Sequence, residues 1–257
     1  MLKKQSLVKR IQSLALLSTT IVGCWFAPAV TSSFSSSVLA LPQEQINQKL
    51  GPIFVFTISS DEGVPLVGKD ETTGKLTTPI FMARQEAEQF VQDLTKSNPE
   101  VLKDKSIQPI PLLTIYNESI KEDSQITFQF IGQLKQIEEA KKLNPQYSRG
   151  VPLFVISADD QLVTLVRPNE NNENVEVIPL FFEKEKVDTV IADIKKGESD
   201  LPDNVEIKVF TILEAMFNEF KTGNDEVSVI QFVPTSDSDQ VLLKVIEQQR
   251  QLQEQQK

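Results

Sequence analysis

The 257-residue chain carries 36 acidic residues against 26 Lys and Arg, a formal charge of −10, with one cysteine and no histidine. Structural zinc of the Cys/His type, a Ser-His-Asp triad, a Cys-His pair and imidazole acid–base catalysis all need residues this chain lacks. The acidic balance argues for solubility and against nucleic acid or an anionic bilayer as partner.

The N-terminus reads as a secretory signal over residues 1–40. Lys3, Lys4, Lys9 and Arg10 form a basic region, Ile11 to Val22 an apolar run, and Val38-Leu39-Ala40 a small-residue cleavage site. The apolar run falls short of the roughly 20 residues that span a bilayer, so no integral membrane segment is expected. A rival reading takes Ile21-Val22-Gly23-Cys24 as a lipoprotein site with Cys24 acylated, although Trp25 to Val30 stays apolar where such proteins turn polar. Both readings export the protein. Beyond residue 40 there is no cysteine, hence no disulfide, and the 36 acids then face 22 bases, a charge of about −14.

The element pattern is that of a mixed α/β (α+β) protein. Pro42 to Leu50 predicts a short helix, Ile53 to Ser59 a strand, Asp61-Glu62-Gly63 a turn and Val64 to Val67 the return strand of a hairpin. Leu76 to Met82 is a third strand. Ala87, Phe90, Val91 and Leu94 recur at helical spacing over Arg84 to Leu94, and Asn98-Pro99 ends that helix. Ile110 to Tyr116 and Ile126 to Ile131 read as strands, and Leu134 to Leu143 as a charged helix.

The order then repeats. Leu153 to Ser157, Leu162 to Val166 and Val175 to Phe182 are strands, with Asp159-Asp160 as the turn and Glu183 to Ile194 as the helix. Val205 to Phe210 is the next strand, and Leu213 to Phe220 an amphipathic helix whose counterpart, Asn117 to Asp123, is too short and polar for more than a turn. Val227 to Val233 is a last strand. Asp239 to Gln256 is the final helix, capped from Ser236 to Asp239 and ending in a Gln/Glu run.

Two phrases carry the repetition. Pro52-Ile53-Phe54-Val55 returns as Pro152-Leu153-Phe154-Val155, and Thr78-Pro79-Ile80-Phe81-Met82 as Ile178-Pro179-Leu180-Phe181-Phe182. A period near one hundred residues is too long for a solenoid and implies two tandem copies of one strand–helix unit. The copies span 41–148 and 149–247, followed by a polar, fraying tail over 248–257. On this offset Phe54 and Phe154 are equivalent. Phe54, Phe81, Phe154, Phe181 and Phe182 are candidate apolar client-binding residues, although strand cores bury most such side chains. Phe181 and Phe182, as neighbours on a strand, face opposite sides. The working surface is therefore expected beside these phrases, on the opposite strand faces and the following helices.

No catalytic, cofactor-binding or metal-binding residues emerge. Asp61-Glu62 and Asp159-Asp160 sit at turns, where Asp is favoured for backbone reasons. Neither Asp200 to Asp203 nor Ser236 to Asp239 has the glycine and distal glutamate of a calcium loop, and no Gly-rich phosphate loop occurs.

With the signal segment, the doubled body, Gly150-Val151-Pro152-Leu153-Phe154-Val155 and Ile178-Pro179-Leu180-Phe181-Phe182, the chain resembles the 22-kilodalton component of the chloroplast inner-envelope translocon (Tic). It is more similar to that family's cyanobacterial homologues, from about Ile46 to Val245. The resemblance implies a pseudo-twofold, butterfly-like fold with apolar surface pockets and no catalytic residues. It implies a chaperone-like role in the periplasm or thylakoid lumen, with unfolded or translocating precursor proteins and the outer-membrane β-barrel assembly machinery as partners. The alternative is a structural bridge between envelope translocation and assembly components.

Overall fold

The computed structural model describes residues 41–69, 74–168, 173–196, 204–222 and 225–255. The signal segment, with Cys24 and the Val38-Leu39-Ala40 site, lies outside them.

Helix α1 (Gln43–Leu50) precedes β1 (Phe54–Ser60), β2 (Gly68–Lys69), β3 (Leu76–Phe81) and α2 (Arg84–Ser97). A 3₁₀ turn at Pro99–Leu102 leads to β4 (Lys105–Pro111), α3 (Leu112–Ser119), β5 (Ile126–Ile131) and α4 (Leu134–Leu143). The second copy supplies β6 (Leu153–Ala158), β7 (Gln161–Leu162), β8 (Leu165–Pro168), β9 (Asn174–Phe181) and α5 (Lys184–Lys196). It closes with β10 (Val205–Phe210), α6 (Leu213–Thr222), a 3₁₀ turn at Asp225–Val229, β11 (Ile230–Val233) and α7 (Ser236–Gln255).

The two copies build the same sheet twice. β1 lies between β4 and β3, antiparallel to both, and β5 runs parallel on the far side of β3. In the second sheet β6 lies between β10 and β9, with β11 parallel to β9. Helices flank both sheets, so the mixed α/β, two-copy architecture stands.

Several local expectations are corrected. Val227 to Val233 is not all strand: Val227 to Val229 belong to the 3₁₀ turn, and β11 begins at Ile230. Ile110 to Tyr116 is not a strand: β4 ends at Pro111 and α3 begins, burying Leu112, Ile115 and Tyr116 at helical i, i+3, i+4 spacing. Thus α3 is the counterpart of α6, and the first copy does have this helix. Val64 to Val67 forms no full return strand; only Pro65 bridges to Ser59, and the chain then pairs through β2 with β3. Finally, α7 begins at Ser236, three residues early. Its cap is Thr235, whose Oγ1 accepts the Ser238 N–H at 3.1 Å. The Gln/Glu tail is exposed and remains helical to Gln255.

Because strand side chains alternate, each sheet has two apolar faces. The inner faces (Val55 and Ile80; Leu153, Val155, Ile178 and Leu180) join α1, α3 and α6 in one continuous core. Its aromatic centre crosses between copies: Tyr116 meets Phe217 edge-on at 5.3 Å, and Phe130 meets Phe217 at 5.7 Å. The outer faces are covered by an exchange of helices. The first sheet's Phe56, Ile58 and Phe81 pack under α2 and Val241 of α7, whereas the second sheet's Phe154, Ile156 and Phe181 pack with Ala140 and Ile137 of α4.

Side chains from the exchanged helices also satisfy the free N–H groups at helix starts. Asp237 of α7 accepts from Arg84 N–H of α2 at 2.8 Å, and Gln136 of α4 accepts from Lys184 N–H of α5 at 3.0 Å. At the crossing, Glu183 Oε2 accepts the Ser236 hydroxyl at 2.6 Å and the Ser236 N–H at 3.0 Å, and Gln133 donates to its Oε1 at 3.1 Å. Each copy is therefore closed by the other's last helix.

Candidate functional site

Of the five candidate phenylalanines, Phe81, Phe154, Phe181 and Phe182 are between 0% and 2% exposed, and only Phe54 is half-buried. The four are core residues and present no surface to a partner. Phe181 and Phe182 do face opposite sides: Phe181 lies in the outer cluster with Val187 of α5, and Phe182 stacks on Phe232 in the central core at 5.7 Å. Phe54 and Phe154 are not equivalent. Phe56 pairs with Phe81 as Phe154 pairs with Phe181, so the true offset in β1 is 98 residues, and Phe54 corresponds to Pro152. The repeated phrase hides a two-residue slip, which preserves strand parity and is invisible to periodicity.

Beside these residues the first copy carries two openings. On its outer face an apolar groove of about 530 Å³ runs between the C-terminal half of α2 and the sheet. Phe90, Leu94 and Val101 form one wall, Leu66 and Val67 the other, and Pro79 and Ile131 the floor. Helical spacing puts Phe90 and Leu94 on the sheet-facing side of α2, with Phe90 held against Phe81 at 5.4 Å between ring centroids. Val67, 40% exposed, sits at the rim. The helix pattern made Phe90 and Leu94 legible as an apolar face, but nothing in the sequence said that β2 would leave that face partly uncovered.

On the inner face a cavity of about 710 Å³ opens between α3 and the sheet. Ile80, Ile110, Ile115, Ile126 and Phe128 wall it, and Thr57, Ser59 and Thr78 form its floor. The Oγ1 atoms of Thr57 and Thr78 are buried and make no hydrogen bond. The second copy keeps one such hydroxyl, Ser157, at the position of Ser59. The sequence signal for this cavity was available: threonine stands at Thr57 and Thr78 where the second copy has Val155 and Ile178.

Two further polar groups are held by turn and backbone contacts. Asp159 and Asp160 adopt left-handed turn conformations (φ 50° and 59°), and Lys208 pairs with Asp160 at 2.7 Å, drawing that carboxyl below its usual range. Lys49 donates to the carbonyls of Ser228 and Ile230 at 2.7 and 2.5 Å. Burial, and secondarily the Arg167 charge, push its ammonium down to about 8. Among the described residues no three His, Cys, Asp or Glu side chains are grouped to hold a metal, and no helix is long and apolar enough to cross a membrane.

No curated protein matches the sequence. Solved structures with the same fold include two Tic22 proteins. Anabaena Tic22, a protein of protein transport, aligns at 22% identity over 79% of this chain and 97% of its own, with a TM-score of 0.64. Tic22 from Plasmodium falciparum aligns at 20% identity over 78% of this chain and 96% of its own, with a TM-score of 0.59. The sequence model of the Tic22-like family matches residues 4–255, nearly the whole chain, and the chain belongs to the Tic22-like family.

Proposed function

We propose that this chain is an exported, chaperone-like binding protein that assists protein translocation or outer-membrane protein biogenesis in the periplasm. The observation that carries this reading is the open apolar groove between α2 and the first sheet, walled by Phe90, Leu94, Val101, Leu66 and Val67. An uncovered apolar groove recognises extended apolar chain with little sequence preference. The charge of about −14 beyond the signal segment keeps such a protein, and what it holds, in solution. Membership of the Tic22-like family and the protein-transport description of Anabaena Tic22 support the same reading.

The test is suppression of aggregation of an unfolded β-barrel precursor by the purified protein. Val67→Asp is expected to weaken suppression without unfolding the protein, since this side chain lies at the exposed rim of the groove rather than in the core. Equal aggregation with and without the protein would end the reading. A pull-down that returns one stoichiometric folded partner, with no affinity for denatured chains, would favour the structural bridge instead.

A further inference from the structure

The inner cavity exists because the two copies finish the same segment differently. The β3–β5 ladder runs from Leu76↔Ile126 to Phe81↔Ile131, whereas the β9–β11 ladder runs only from Ile178↔Ile230 to Phe181↔Val233. Aligned on their shared ends, Ile126 of the first copy corresponds to Ser228 of the second. In the first copy this stretch stays extended and lengthens β5. In the second it coils into the 3₁₀ turn Asp225–Val229, which packs against β9 and buries Val227 in the cluster that holds Val155 and Ile178. Lys49 ties that turn down through the Ser228 and Ile230 carbonyls. The second copy thus fills its inner face with a turn of its own chain, and the first leaves the same place open over Thr57 and Thr78.

We propose that this cavity is a peptide-binding site. Its occupant is a short turned segment of a partner polypeptide, with a β-branched apolar side chain seated over Thr57 and Thr78, at the place in the fold where the second copy's own turn packs against β9 and buries Val227. Its volume of about 710 Å³ is sufficient for such a segment. The threonine floor suits a peptide better than a pure hydrocarbon, because rotation about χ1 exchanges methyl for hydroxyl and offers the unpartnered Oγ1 to a backbone group. Asp61 and Glu118 line the opening and no Lys or Arg does, so neutral or basic segments are preferred over acidic ones. This assignment rests on the client-binding reading for its biological occupant, but the outer groove plays no part in it.

The probe is a fluorescein-labelled, capped pentapeptide Lys-Gln-Val-Ser-Val, a basic version of the second copy's own turn. Saturable binding is expected, with methyl NMR shifts at Ile110, Ile115 and Ile126. Exchanging the central valine for serine should weaken it about tenfold or more, as should Thr114→Trp, which plugs the cavity from an exposed position on α3. An unchanged melting temperature for Thr114→Trp shows that the loss is local. Three results would overturn the proposal: no saturable binding, binding indifferent to Thr114→Trp, or shifts confined to Leu66 and Leu94 in the outer groove. An aliphatic alcohol that displaces the peptide and binds equally well would overturn the peptide assignment, as would self-association of the protein through this face. If aggregation suppression persists while the peptide fails, the functional reading stands and this one falls. The reverse result separates them the other way.

Discussion

Removing the Glu183 carboxylate should loosen the crossing that closes both copies. Glu183 is 9% exposed and accepts three hydrogen bonds, from the Ser236 hydroxyl, the Ser236 N–H and Gln133 Nε2. It also places a negative charge at the N-terminus of α7, where the helix dipole favours one. Glu183→Ala leaves these donors without a buried acceptor. A hydrogen bond to a charged group is worth about 1.5–3 kcal/mol, but Ser236 is exposed and water can replace part of what it loses, so a total loss of about 3 kcal/mol is expected rather than the full sum. For a chain of this size that lowers Tm by about 6–12 °C. Glu183→Gln, which keeps an acceptor, should lose roughly half as much. Urea denaturation gives the free energy, and hydrogen exchange at residues 236–239 should show the start of α7 opening first. A loss below about 1 kcal/mol, or equal losses for Gln and Ala, would refute the idea that this carboxylate secures the helix exchange.

Phe154→Ala should cost about 3–5 kcal/mol in urea denaturation and Phe54→Ala markedly less, because only Phe154 lies in the core. Similar costs would contradict the two-residue slip. Phe181→Asp should yield unfolded or insoluble protein, since it buries an unpaired carboxylate beneath α5. A soluble, cooperatively melting variant would contradict that placement. Lys49 provides a pH test: with its pKa near 8 when folded and 10.5 when unfolded, unfolding takes up a proton between those values. Stability should therefore rise as pH climbs from 8 toward 10.5, and the rise should shrink in Lys49→Met. An identical pH profile for the two proteins would show that Lys49 is not held in this state.

Much of this protein is determined locally. The spacing of Ala87, Phe90, Val91 and Leu94 makes α2 a helix, alternation makes Phe181 and Phe182 face opposite ways, and the doubled phrases require two related units. Where a short apolar run suits either state, local signals fail: Leu112 to Tyr116 became helix because Leu112, Ile115 and Tyr116 all had to reach one core. Three features belong to tertiary structure alone. They are the exchange of α4 and α7 between sheets, the slip that separates Phe54 from Phe154, and the coiling of Asp225–Val229 where its counterpart extends. Each depends on which surface a segment meets after folding, and periodicity reports only that a segment has an apolar face. Hence the sequence marks the phenylalanines that build the core, while only packing reveals the openings left beside them.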